Sequence, residues 1–208
     1  MTIQVLILVD LQNDFMPGGA LAVPDGDAVI AVANDEIRRA DVVVATQDWH
    51  PEGHGSFAST HPGKVPGDSV NLNNLEQILW PDHCIADSNG AAFHSGLETS
   101  KIDHVVKKGV DPGVDSYSGF FDNDHKTTTG LDTYLRSLAS TADHTFQPIH
   151  LTVMGLATDY CVKFTVLDAC TLGYNVTVRR SGCRGVGLAT GDIAQAFQDM
   201  QAAGAKLA

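Results

Sequence analysis

Cys161 closes the run Gly155-Leu156-Ala157-Thr158-Asp159-Tyr160-Cys161, where an apolar stretch gives way to a helical pattern at Val162, Thr165, Val166 and Ala169. A thiol at the start of a helix meets unpaired backbone N–H groups and the positive end of the helix dipole, which favour thiolate over thiol. The same N–H groups can receive the oxyanion that forms when sulfur adds to a carbonyl. Such a nucleophile needs a base: a carboxylate can take its proton while a lysine balances the added charge. Asp10 and Lys108 end two other apolar runs and suit these roles. Neighbours on a strand face opposite ways, so only one of Lys107 and Lys108 can point at a shared site. Gly109 permits close approach beside Lys108 and favours it.

A second set of residues suits metal binding. Asp48-Trp49-His50 brings a carboxylate and an imidazole to one side of an extended chain, and Trp80-Pro81-Asp82-His83 offers another imidazole. One oxygen and two nitrogens make an open site for one divalent ion, zinc first, with iron and manganese suited to the same donors. His54 is near enough in sequence to join that ion or to brace it. His61, His94, His104, His125, His144 and His150 read as surface or supporting residues, and Cys84, Cys170 and Cys183 as small buried apolar ones. Gly185-Val186-Gly187 with Gly191 lacks the G-x-G-x-x-G spacing and its distant acidic partner, which argues against dinucleotide binding.

The elements that must position these groups are short apolar runs separated by segments of helical period. Strands are predicted at Ile3 to Val9, Val42 to Thr46, His104 to Lys107, Ile149 to Gly155 and Asn175 to Val178, with a sixth near Ala205 to Leu207. Helices are predicted over Asp27 to Arg39, Leu131 to Ala139 and Thr190 to Ala203. The alternation gives an α/β fold, a Rossmann-like three-layer αβα sandwich with a mainly parallel sheet of about six strands, in one domain over residues 1–208. In such sheets ligands bind outside the carboxyl ends of the strands, where Asp10, Asp48, His50, Lys108 and Cys161 fall. The segment Gln47 to Ile102, rich in Gly, Pro, Asn, His and Asp, reads as a long functional loop.

Bulk properties narrow the classes. A chain of 208 residues that is 43% hydrophobic and 18% charged can bury a sizeable core. Thirteen Lys and Arg against 25 Asp and Glu give a net charge of −12, and no basic cluster offers a footprint for nucleic acid. The apolar opening is too short to span a bilayer and has no basic flank, so neither a membrane helix nor a signal peptide is expected. Four cysteines without close pairing suit reduced thiols in the cytoplasm.

Five ordered motifs carry a resemblance: Val9-Asp10-Leu11-Gln12-Asn13-Asp14-Phe15, Thr46-Gln47-Asp48-Trp49-His50-Pro51, Trp80-Pro81-Asp82-His83-Cys84, Lys108-Gly109 with Asp115-Ser116-Tyr117-Ser118-Gly119-Phe120, and Gly155 to Val162. Over nearly its whole length the chain resembles the nicotinamidases of the isochorismatase-like cysteine hydrolases. The resemblance implies a catalytic triad at Asp10, Lys108 and Cys161, metal ligands at Asp48, His50 and His83, and an oxyanion hole from the N–H groups of Ala157 and Cys161, with a cis peptide between Leu156 and Ala157. It implies a ring pocket lined by Phe15, Trp80, Tyr117 and Ala157. It further implies conversion of nicotinamide and water to nicotinic acid and ammonia through a thioester, in pyridine nucleotide salvage, with pyrazinamide as a further substrate. The expected partner is this small molecule, for a monomer or homo-oligomer. Two other readings stay open on sequence: a metal-independent hydrolase of the same family, and a non-catalytic metal- or ligand-binding domain in which Cys161 only packs.

Overall fold

A computed structural model describes residues 2–140 and 147–208. His144, expected as a surface or supporting residue, lies outside the described residues.

The chain runs β1 (Ile3–Val9), α1 (Val29–Ile37), β2 (Val42–Asp48), β3 (Ser69–Leu72), β4 (Leu75–Ile78), β5 (His104–Lys108), α2 (Leu131–Ala139), β6 (Ile149–Leu156), α3 (Lys163–Thr171), β7 (Asn175–Arg184), α4 (Asp192–Ala202) and β8 (Lys206–Leu207). Six strands form one sheet in the order β5-β2-β1-β6-β7-β8, and every neighbouring pair is parallel. The order reverses between β1 and β6, which makes their carboxyl ends the crevice where a doubly wound sheet binds its ligand.

β1 is central because Val5, Leu6, Ile7, Leu8 and Val9 are all withdrawn from water. Each fully buried aliphatic side chain is worth about 1.5–3 kcal/mol, and a run apolar on both faces can sit only between two layers. The right-handed crossover rule sends α1 to one face and the helices following β5, β6 and β7 to the other. Accordingly α3 packs on α4, and Tyr174 beyond α3 donates to Asp132 of α2 at 2.8 Å. The ends of β1 and β6 approach so closely that a Cβ on Gly155, at φ +131, would lie 2.1 Å from the Val9 carbonyl oxygen. Only glycine fits there.

β1 and α2 begin and end where their periodicity places them. α1 and α4 are shorter at both ends than predicted. β2 runs on to Asp48, β5 to Lys108 and β6 to Leu156, since the residue ending each still pairs with a neighbouring strand, Asp48 with Lys108 and Leu156 with Arg184. β7 continues six residues past Val178, because Arg179-Arg180-Ser181-Gly182 form an irregular bulge before pairing resumes at Gly155 with Cys183. The long loop holds an unpredicted hairpin, β3 with β4, joined by Asn73 and Asn74 at φ +51 and +69. Positive φ at both central residues is the turn that suits a two-residue hairpin, and Asn tolerates it. Among the described residues no helix is long and apolar enough to cross a membrane. The four cysteines are free; Cys84 and Cys183 are buried as expected, whereas Cys170 is only half-buried.

Candidate active site

β2 and β5 lie in register with Asp48 beside Lys108, so both side chains leave the same face of the sheet. Thr46, two residues before Asp48, shares that face. Its hydroxyl donates to Asp10 Oδ1 at 2.5 Å, just beyond the end of β1. Lys108 Nζ reaches the centre of the cluster: it donates to Asp48 Oδ1, to the Ser116 carbonyl at 2.9 Å and to Cys161 Sγ at 3.4 Å. Asp10 Oδ2 lies 3.0 Å from the same ammonium, in an alignment that leaves this oxygen without a hydrogen bond. The sulfur and the carboxylates of Asp10 and Asp48 lie within 4.8 Å of one another. Lys107 points the other way and covers the Trp49 ring at 3.5 Å, as the pleat requires.

All four of these groups are buried. Burial pushes the Asp10 carboxyl up to about 6 against the pull of Lys108, and the charge of Asp48 adds to the rise. Burial acts on Asp48 in the same sense, but Lys108 and the two imidazoles outweigh it and hold Asp48 well below the usual carboxylate range. Burial works against a charge on Lys108, yet Asp10 and Asp48 keep it firmly protonated. The Cys161 thiol is pushed well above its ordinary range by burial, which Lys108 only partly offsets. Burial thus opposes the thiolate that the helix start favours. The dipole and the ammonium act in a dry site that already holds the carboxylates of Asp10 and Asp48, where a third anion is disfavoured. A turn of π-helix, Thr158–Val162, leads into α3 and carries Cys161. The Ala157 carbonyl ahead of it accepts the N–H groups of Tyr160 and Val162 at 3.1 and 3.0 Å, and the Leu156–Ala157 peptide is cis.

His50 Nδ1 donates to the Gly109 carbonyl at 2.9 Å, and His83 Nδ1 to the Pro81 carbonyl at 2.8 Å. These bonds fix the tautomers, so both Nε2 lone pairs are free, and each nitrogen lies 3.8 Å from Asp48 Oδ2. Two neutral imidazole nitrogens and a carboxylate oxygen so arranged fit a divalent ion with open positions. Burial pushes His50 down to about 4, which leaves it unprotonated and ready to ligate. Burial also works against charging His83, but Asp48 outweighs it and raises its pKa. His54 offers no lone pair, because Nδ1 accepts from Ser56 Oγ at 2.8 Å and Nε2 donates to the Asp111 carbonyl at 2.8 Å. It packs on the His50 ring, 4.4 Å between centroids, and braces it. His61, His104 and His150 make contacts elsewhere, with the Gly55 carbonyl, Tyr134 and Thr177.

A cleft opens beside the sulfur. The predicted Phe15, Trp80, Tyr117 and Ala157 line it together with Asp48, His83 and Cys161. Sequence reasoning missed Leu21, Asp115, Tyr160 and Val186 in the lining. Trp80 Nε1 and Gln77 Nε2 both donate to the Tyr117 hydroxyl, at 3.2 and 3.1 Å, and Tyr160 meets Trp80 edge to face at 4.9 Å. These contacts set an aromatic wall suited to a flat ring. Gln12, quoted only as part of a motif, pins Asp48 from both sides: its amide donates to the Asp48 carbonyl and accepts the Asp48 N–H, each at 2.8 Å.

The model of the isochorismatase domain matches residues 4–208. The chain belongs to the isochorismatase family. It is 53% identical over 208 residues to a nicotinamidase of Escherichia coli, covering 98% of this chain and 93% of the relative. Among solved structures it is similar to a nicotinamidase pyrazinamidase of Acinetobacter baumanii, with a TM-score of 0.90 and 40% identity, covering 100% of this chain and 96% of that one. It is also similar to a pyrazinamidase of Pyrococcus horikoshii in complex with zinc, with a TM-score of 0.76 and 34% identity, covering 99% and 98%. The sheet order of this isochorismatase-family member and its crevice at β1 and β6 agree with the fold expected from sequence.

Proposed function

We propose that the protein is a nicotinamidase, a cysteine hydrolase that converts nicotinamide and water to nicotinic acid and ammonia within a single domain. One observation carries the reading: a single buried ammonium joins Asp10, Asp48 and the Cys161 sulfur at the floor of an aromatic cleft that also reaches the His83 end of the Asp48, His50, His83 set. The likeness to the Escherichia coli nicotinamidase supports nicotinamide as the substrate.

Asp10 Oδ2, which has no hydrogen bond of its own, takes the proton of Cys161 as sulfur attacks the amide carbon. The oxyanion is received by the N–H groups of Ala157 and Cys161. Collapse expels the amide nitrogen, to which Asp10 returns the proton, and ammonia leaves behind a thioester. Water entering the vacated position gives a proton to Asp10 and attacks the thioester, releasing nicotinic acid and restoring the thiol. Throughout, Lys108 keeps the negative charge tolerable as it passes between carboxylate and sulfur. The ring lies against Phe15, Trp80, Tyr117 and Ala157. A divalent ion held by Asp48, His50 and His83 would supply a Lewis-acidic anchor for the ring nitrogen, directly or through water. The zinc in the Pyrococcus horikoshii pyrazinamidase supports zinc as that ion and pyrazinamide as a second substrate.

The test is ammonia release from nicotinamide, pyrazinamide and simple aliphatic amides by the intact protein and by Cys161→Ala. Turnover should favour the ring amides and vanish in Cys161→Ala, with metal content unchanged. Undiminished ammonia from that variant refutes the assignment.

A further inference from the structure

The glycine-rich segment that fails as a nucleotide loop has another use. Gly185, Val186 and Gly187 follow β7 and pass beside the turn that carries the nucleophile. Asp159, two residues before Cys161 and buried, accepts the Val186 N–H on Oδ1 at 2.9 Å and the Gly187 N–H on Oδ2 at 2.7 Å. Each carboxylate oxygen thus holds one backbone donor from a segment 27 or 28 residues away. Bonds from N–H to an ionised carboxylate are among the stronger ones a protein makes. The strap has little freedom to sit elsewhere. A Cβ on Gly185 would lie 2.5 Å from Ile193 Cγ1 and 2.9 Å from Asp159 Oδ1, and Gly187 adopts φ +65. Val186 is the strap residue that lines the substrate cleft, where with Leu21 and Ala157 it forms the aliphatic part of the lining.

We propose that Asp159 is a positioning residue: it fixes the Gly185 to Gly187 strap so that Val186 sets how large a ring substituent the cleft admits. The inference rests on the nicotinamidase reading and adds to it the determinant of selectivity among ring-substituted pyridine carboxamides. Because Asp159 belongs to the nucleophile turn, one side chain locks sulfur and aliphatic wall into a single unit. Asparagine cannot replace it, since its NH2 group would face one of the two N–H donors.

The experiment measures kcat and KM for nicotinamide and for its 2-, 4-, 5- and 6-methyl derivatives with the unmodified protein, Val186→Ala, Val186→Leu, Asp159→Asn and the double variant Val186→Ala with Asp159→Asn. The quantity read is the ratio of kcat/KM for methylated over unsubstituted amide in one preparation, which does not depend on the folded fraction. Val186→Ala should raise that ratio about tenfold for at least one isomer, the scale of one methyl group in an apolar pocket, and chiefly through KM. Val186→Leu should raise KM for nicotinamide itself. Asp159→Asn should move the ratio in the same direction as Val186→Ala, and the double variant should add little. Unchanged ratios in Val186→Ala overturn the proposal. So does an Asp159→Asn that slows every amide alike, the mark of a merely structural role. Absence of ammonia from nicotinamide with the unmodified protein overturns the underlying reading instead, and shows before any variant is compared.

Discussion

Replacing Lys108 by methionine removes one charge and keeps most of the side-chain volume. The ammonium stands 3.0 Å from Asp10 Oδ2 and 3.4 Å from Cys161 Sγ. At an effective dielectric constant of about 20, a charge pair at 3.0 Å is worth about 5 kcal/mol. If half survives relaxation, Asp10 loses roughly 2.5 kcal/mol of stabilisation of its charged form, or about two pKa units. Its value then climbs from about 6 to about 8 on this scale. The base must be unprotonated to act, so the acid limb of kcat/KM, expected near pH 6 in the unmodified protein, should move to about pH 8. At pH 7 this costs about tenfold, and loss of the charge that steadies the attacking sulfur adds another ten- to hundredfold. Breaking a buried ion pair costs about 3–5 kcal/mol of stability, eased here because Asp10 can neutralise itself. The assay is ammonia release from nicotinamide over pH 5 to 10, with thermal melts and zinc content in parallel. The position of the limb does not depend on how much protein is folded. A Lys108→Met protein whose limb stays near pH 6, with activity within threefold at pH 7, defeats the reasoning.

Three further outcomes are expected. Thr46→Val removes the 2.5 Å donor to Asp10; a bond to a charged group is worth about 1.5–3 kcal/mol, so the acid limb should rise by about one unit, and a limb that stays in place contradicts the role given to Asp10. Gly109→Ala puts a Cβ 2.4 Å from His50 Cε1 at φ +64; metal affinity should fall about 10- to 100-fold, the usual penalty for disturbing a ligand's support, as read by competition with a chromophoric chelator. Dialysis against a chelator should abolish most nicotinamide hydrolysis and added zinc should restore it, whereas persistence of full activity in protein shown to be metal-free would exclude the ring anchor.

Much of this molecule was legible in its residues because the physics there is local. Five adjacent aliphatic residues in β1 read as a short strand buried on both faces, and its bounds match the run from Ile3 to Val9. Lys108 could be separated from Lys107 because strand neighbours face opposite ways, and the register bears this out. The types and order of Asp10, Asp48, His50, His83 and Cys161 were enough to suggest thiol chemistry beside an ion. β7 was cut short because Arg179 to Gly182 read as polar coil, and nothing local signals that pairing resumes at Cys183. The hairpin in the long loop had a visible turn, Asn73-Asn74, but its strands are short and only half apolar.

The sequence alone determined the apolar stretches at the heart of the six sheet strands, the reactive groups at their carboxyl ends and the family motifs, since each depends on residue type and on distances of a few positions. Tertiary structure alone decided the rest. Parallel register put Asp48 beside Lys108, and a shared burial raised the pKa of the Cys161 thiol and lifted Asp10 to about 6. Crossovers brought Leu21, Asp115 and Val186 to a wall that no spacing announces. Charge states and pocket walls arise from contacts between segments tens of residues apart, and those contacts exist only once the sheet has closed around them.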